Sequence, residues 1–242
     1  MIWQLGATAF ASYAGLPTLW MRWASRHALR RGPGDRPEVA LTFDDGPDPT
    51  YTPRVLAALA ASDVKATFFM LGKRAAAHPD VARAVVSAGH EVGSHMYHHR
   101  PVWLLAPGAL RRELTRASES IAAAIGRPPD CFRPPWGIFS AAMFSSVGRA
   151  LPTVLWSVHP GDWRPGIKPE QITARVLRRL SPGAIILLHD GTGYPGDPAA
   201  LIAALPGIIA QIRDRGYRFV RLSRWLGGGP PEGVPDAQSV VT

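Results

Sequence analysis

Two carboxylates stand side by side, Asp44 and Asp45, in the stretch LTFDDGPDP of residues 41–49. Adjacent like charges repel. A fold that keeps them calls for a cation between them or for one of them to accept a proton. Two imidazoles, His95 and His99, are spaced four residues apart in GSHMYHHR. On a helical turn that spacing puts both rings on one face. It suits a single divalent ion, with a carboxylate from elsewhere completing a set of three protein ligands. A His pair alone is more often not a metal site. Beside an Asp-Asp pair it supports a definite chemistry, in which one Asp binds the ion and the other takes a proton from water. Arg133, in FRPPWG, offers a rigid guanidinium able to hold and orient a carboxylate. Pro134 and Pro135 stiffen that loop, and Trp136 adds a flat apolar face. HPGDW contributes Asp162 and Trp163, and ILLHDG contributes His189 and Asp190.

These groups need elements to bring them together, and the pattern supplies them. Strand-like runs are expected at 39–45, 64–71, 90–95, 131–133, 152–158, 183–189 and 217–222, with helices between most of them. Thr52-Pro53 reads as a cap residue followed by a first-turn proline. Residues 107–126 align Leu110, Leu114, Ala117, Ile121 and Ile125, and residues 198–215 align Leu201, Leu205, Ile208 and Ile212. Seven strand–helix units predict a parallel α/β fold, a closed or nearly closed barrel, although alternation alone also permits an open doubly wound sheet. In either, reactive groups gather at the C-terminal strand ends, and the chemical groups of the first paragraph fall at or just after such ends.

The chain has 242 residues, 46% of them hydrophobic, enough for one domain with a sizeable core. Its single cysteine, Cys131, excludes an internal disulfide and a cysteine-rich zinc site. It reads as a buried small residue. The net charge of +9 favours anionic partners, but no Lys/Arg block is interleaved with aromatics, so nucleic acid is not an expected partner. Residues 1–21 carry no charge, and Arg22, Arg26, Arg30 and Arg31 follow them. The length suits a bilayer span, while Gly6, Gly15 and Pro17 weaken it as a helix. Membrane association through 1–21 is therefore expected, with its orientation open, because cations on that side conflict with an exported domain. The chain divides into an apolar segment and basic linker (1–36), a main domain (37–226) and a disordered tail (227–242).

The set as a whole resembles the NodB-homology polysaccharide deacetylases, carbohydrate esterase family 4. Thr42-Phe43-Asp44-Asp45 matches the T-F-D-D motif, His95 to His99 matches H-x-x-x-H, and Arg133, Pro135 and Gly137 match R-x-P-x-G. Asp162-Trp163 keeps the end of D-x-x-D-W, and Leu187-Leu188-His189 matches Leu-x-His. The resemblance covers roughly 37–226 and implies a distorted (β/α)7 barrel that removes N-acetyl, or O-acetyl, groups from a glycan. It also implies roles. Asp44 is the base, and Asp45, His95 and His99 hold Zn²⁺ or another divalent ion such as Co²⁺. Arg133 positions Asp44, His189 is the acid and Asp162 tunes it. Trp136, Trp163 and Pro135 wall the substrate groove. A base that must be ionised and an acid that must be protonated predict a bell-shaped pH profile.

The sequence departs from that pattern at His159, where the family has the first acid of its fourth motif. It is read as a loop residue. His98 has the wrong spacing to join His95 and is read as exposed, and Trp103 is left without a role. Two other readings stay open. One is a glycan-binding or envelope protein that kept the fold without turnover. The other is a deacylase or deformylase of a lipid-linked sugar.

Overall fold

The computed structural model describes residues 11–24, 28–146, 151–191 and 198–227. The first ten residues of the apolar stretch and the tail from 228 lie outside them. Among these residues eight strands are present: β1 (Ala28–Leu29), β2 (Glu38–Asp44), β3 (Thr67–Met70), β4 (Glu91–Ser94), β5 (Cys131–Phe132), β6 (Thr153–Val154), β7 (Ala184–His189) and β8 (Arg218–Phe219). The main helices between and after them are α1 (Thr52–Ala61), α2 (Gly72–Ala77), α3 (Pro79–Ser87), α4 (Pro107–Ile125), α5 (Ala141–Ser146), α6 (Pro169–Arg178), α7 (Ala199–Asp214) and α8 (Ser223–Leu226).

The strands pair in parallel in the order β1-β6-β5-β4-β3-β2-β7. Past β6 the chain bridges back to β7. Ser157 and Val158 donate their N–H groups to Ile185 O at 3.1 and 3.0 Å, and Leu187 N–H donates to Val158 O at 2.9 Å. The sheet thereby returns to its start as a distorted parallel barrel. Its make-up differs from the expected one. The run at 217–222 yields only β8, which pairs with the first residues of β2. Another stave comes from β1, inside the stretch assigned to the N-terminal segment. Leu29 O accepts from Leu155 N–H at 2.7 Å, Arg31 forms an antiparallel bridge to Ala184, and Gly32 N–H donates to Gly183 O at 2.8 Å. β1 thus joins β6 to the start of β7. At two residues, it is too short for alternation to reveal.

β2 and β7 are buried along their whole length, as strands covered on both faces must be. Alternation in β2 sends Val39, Leu41 and Phe43 into the layer shared with Val55 and Leu59 of α1 and Leu205, Ile208 and Ile212 of α7. Ala40 packs with Phe69, Cys131, Val154 and Ile185 in a separate inner cluster. With a side-chain period of two, Thr42 and Asp44 share the face of Ala40, so the first acid ends up at the inner mouth of the barrel.

The expected helical faces are found. Leu110, Ala117 and Ile121 are buried on α4, and Leu201, Leu205, Ile208 and Ile212 on α7. At α1 the cap differs from the expected one. Asp48 Oδ1 accepts the N–H groups of Thr50 and Tyr51 at 2.9 and 3.1 Å, while the Thr52 hydroxyl accepts Asp48 N–H and donates to Asp190. Cys131 is buried, and its thiol pKa is pushed up by burial. No helix among the described residues is long and apolar enough to cross a membrane. The helical stretch at 11–24 instead packs on the domain. Tyr13 Oη donates to Leu105 O, and Phe139 N–H donates to the Thr18 hydroxyl.

Candidate active site

Asp44 ends β2, His95 follows β4 and Arg133 follows β5. The strand register brings them together, because β2 pairs with β3, β3 with β4 and β4 with β5. Arg133 is fully buried and spans the inside of the barrel. Its Nη1 donates to Asp44 Oδ1 at 2.6 Å and to the Thr42 hydroxyl at 2.9 Å. Nε and Nη2 donate to the carbonyls of Val154 and Leu155 at 3.3 and 3.0 Å. The guanidinium also lies 3.9 Å from the centre of the Phe69 ring, a cation–π contact. Asp44 is therefore gripped through Oδ1, and its Oδ2 faces His95 Nε2 at 3.7 Å.

Asp45, His95 and His99 converge, each offering a ligand atom within 4.8 Å of the others. His95 and His99 Nε2 lie 3.6 and 3.4 Å from Asp45 Oδ1. His95 Nδ1 is 2.8 Å from Arg133 O. A carbonyl can only accept, so Nδ1 carries the proton and Nε2 keeps its lone pair toward the site. Burial, above all, lowers both imidazoles to pKa values of about 3, leaving them neutral donors at pH 7. Neither oxygen of Asp45 has a hydrogen-bond partner, although the side chain is buried. Burial pushes that carboxyl up to about 6. An orphaned buried carboxylate facing two neutral imidazole nitrogens fits a divalent cation.

The expected helical turn between the two histidines is absent. Residues 95–100 form an irregular loop in which Met96 and His99 take positive φ values of 66° and 54°. The rings meet by this loop geometry, with centroids 5.1 Å apart. His98 is also not exposed as expected. It is half-buried, and its N–H and Nδ1 lie 3.1 and 2.7 Å from the two carboxylate oxygens of Glu113 on α4. Glu113 therefore fastens the loop that carries both imidazoles. Glu113→Ala is expected to weaken divalent-ion affinity about tenfold, the low end for groups that orient ligands, with little change in folding. Equilibrium titration of the metal-free protein checks this.

On the opposite wall, Asp162 holds His189. Its Oδ2 accepts His189 N–H at 2.8 Å, and His189 Nδ1 lies 3.1 Å from Oδ1. Burial alone would lower this imidazole, but the Asp162 carboxylate outweighs it and pushes the pKa up to about 9. The Trp163 ring edge meets His189 at 5.2 Å, and His159 packs on Trp163 at 4.4 Å and on Trp156 at 5.8 Å. His159 is thus a packing ring, lowered to about 4 chiefly by burial. On the other rim, Trp136, 36% exposed, meets His99 at 4.3 Å and Trp103 at 5.8 Å, while Pro135 is buried beneath it.

Glu113 and Arg74 were not singled out by motif, and Asp190, named from ILLHDG, was given no role. Glu113 is a charged residue on the apolar face of α4, and that anomaly is legible. Asp190 is buried beneath Gly46 and bonded to Thr52 at 2.5 Å. Its carboxyl is raised to about 7, mainly by burial. Arg74 pairs with Asp48 at 3.4 Å behind Asp45. Nothing in its local sequence marks it.

Residues 31–151 match the family model described as polysaccharide deacetylase. The chain belongs to the polysaccharide deacetylase family. This deacetylase is 38% identical over 198 residues to a peptidoglycan-N-acetylglucosamine deacetylase of Bacillus cereus, covering 80% of this chain and 90% of the relative. It is 39% identical over 207 residues to a chitooligosaccharide deacetylase of Sinorhizobium fredii, covering 79% and 93%. A crystal structure of a peptidoglycan N-acetylglucosamine deacetylase superposes with a TM-score of 0.80 at 32% identity, covering 87% and 97% of the two chains. A family 4 acetyl xylan esterase from Clostridium thermocellum, in complex with a cobalt ion, gives 0.72 at 36% identity, covering 78% and 90%. A family 4 pseudoenzyme from Bacillus anthracis gives 0.76 at 30% identity, covering 84% and 69%.

Proposed function

We propose that this deacetylase hydrolyses the N-acetyl groups of a cell-wall glycan, with Asp45, His95 and His99 holding Zn²⁺ in the catalytic unit. The observation that carries the reading is the Asp45 carboxylate, buried and without a hydrogen bond beside two neutral imidazoles. A divalent cation supplies Lewis acidity there, acidifying water and polarising an acyl carbonyl. Asp44, fixed by Arg133 through Oδ1, presents Oδ2 to the same space and takes the proton of the attacking water. His189 Nδ1–H is held by Asp162, which leaves Nε2 to protonate the leaving nitrogen. Trp136 and Trp163 wall the groove in which the sugar lies, with Pro135 fixing the Trp136 loop. The catalytic unit comprises 37–226 together with the β1 stave. Leu16, Leu19 and Trp20 are exposed on the helical stretch within the uncharged residues 1–21, and this supports docking at an envelope membrane surface.

The test is acetate release by the zinc-loaded protein from N-acetylated peptidoglycan and chitin oligomers. A glycan-binding member without turnover is the second reading, favoured by the likeness to a family 4 pseudoenzyme. Glycan binding with no acetate from any oligomer would establish it.

The pH dependence has a definite sign. His189 acts as an acid only while protonated, so its raised pKa keeps it competent at neutral pH. Activity is expected to fall as pH rises through about 9. Asp162→Asn removes the carboxylate that raises it, and the alkaline limb should move toward lower pH. A pH–rate profile of the two proteins reads the shift. An unmoved limb rejects His189 as the titrating acid.

A further inference from the structure

A cleft of about 940 Å³ lies where β1 joins β6. Arg22, Arg30, Arg31 and Arg179 line it together with Trp156 and Trp225, and Arg31 Nη1 also donates to the Ser181 hydroxyl and to Pro182 O. No Asp or Glu occurs among the described residues that line it. Clustered cations in a partly enclosed space repel. Consistent with this, the half-buried Arg22 is lowered first by burial and then by Arg30.

The cleft adjoins the catalytic site by two routes. Arg22 Nη1 reaches Gly137 O at 3.5 Å, next to Trp136, which meets His99. His159, at the upper end of the cleft, packs on Trp163, which meets His189. The proposed deacetylation site involves none of the four arginines.

We propose that this arginine-lined cleft is an accessory subsite for an oxyanion, a carboxylate or a phosphate, carried by the glycan whose acyl group is presented at the metal site. Planar guanidinium forks match the two oxygens of such a group, which a neutral sugar lacks. The subsite rests on the deacetylase reading for its purpose, but its occupancy can be measured without turnover.

The probes are tetragalacturonate, which has carboxylates and no acyl group to cleave, and inorganic phosphate. Each is titrated calorimetrically into the wild-type protein, into Arg179→Gln and into the Arg22→Gln/Arg179→Gln double variant. Arg179 is exposed, so its replacement does not threaten folding. Loss of one charge-assisted hydrogen bond is expected to weaken binding about tenfold, with affinity falling as salt rises. Weakening with tetragalacturonate alone assigns a carboxylate, and weakening with phosphate alone assigns a phosphate. In parallel, KM for a neutral acetylated chitin oligomer should stay unchanged in Arg179→Gln, while KM for an acetylated peptidoglycan fragment with free carboxylates rises. Equal affinities of both probes for wild type and variants would overturn the proposal, as would an equal rise in KM for both substrates. If no glycan is deacetylated yet the probes bind through the arginines, the subsite stands and the deacetylase reading falls.

Discussion

Asp44→Asn is expected to lower kcat by about 10²–10⁴-fold, the usual contribution of a positioned base, while the protein still binds its divalent ion. The change preserves shape. An amide oxygen can still accept from Arg133 Nη1, which now donates to Asp44 Oδ1 at 2.6 Å. What disappears is the basicity of Oδ2, the oxygen facing His95 Nε2 at 3.7 Å. Asp45, His95 and His99 are untouched, so ion affinity and turnover should separate. Acetate release and metal stoichiometry measured on the same preparation check both. If kcat stays within a few-fold of wild type, Asp44 is not the base. If the ion is lost as well, Asp44 belongs to the ligand set.

Arg133→Met should be the most destabilising single change near the site. It removes one partner of a buried ion pair and leaves the Asp44 carboxylate uncompensated, which typically costs about 3–5 kcal/mol. It also strips donors from the carbonyls of Val154 and Leu155. At about 2–4 °C per kcal/mol for a chain of this size, the melting temperature should drop by roughly 6–20 °C. Arg133→Lys should recover little of this, because an ammonium cannot reach Thr42, Asp44 and two separate carbonyls in one plane. Calorimetric melting of the two variants tests the claim. A lysine variant that melts like wild type would reduce Arg133 to a point charge.

The sequence makes the proposed catalytic groups legible because Asp44, His95, Arg133 and His189 sit where strand runs stop, and the chemistry of such ends is narrow. The apolar faces of α4 and α7 are equally plain from their spacing. The loop at 95–100 is not. The His spacing suggests a helical turn, whereas Met96 and His99 adopt left-handed backbone that no local residue announces. His98 gains its partner only because α4 carries Glu113 to it, and that long-range contact has no trace in the loop itself. β1 is hidden for a different reason. Two residues cannot show a period, and the pairing of Ala28 and Leu29 with Thr153 and Val154 is written only in the finished barrel.

That pairing also bears on the order of assembly. During synthesis the amino-terminal stave must wait, because its partner residues emerge from the ribosome long after it does. The earlier units, β2 to β5, can associate with near neighbours, but the ring cannot be sealed until β6 and β7 exist. Sealing therefore belongs to the slow, topologically distant contacts of folding. Until then the edges of β2 and β5 stand open to other chains, which makes the half-made molecule more vulnerable to aggregation than the native one.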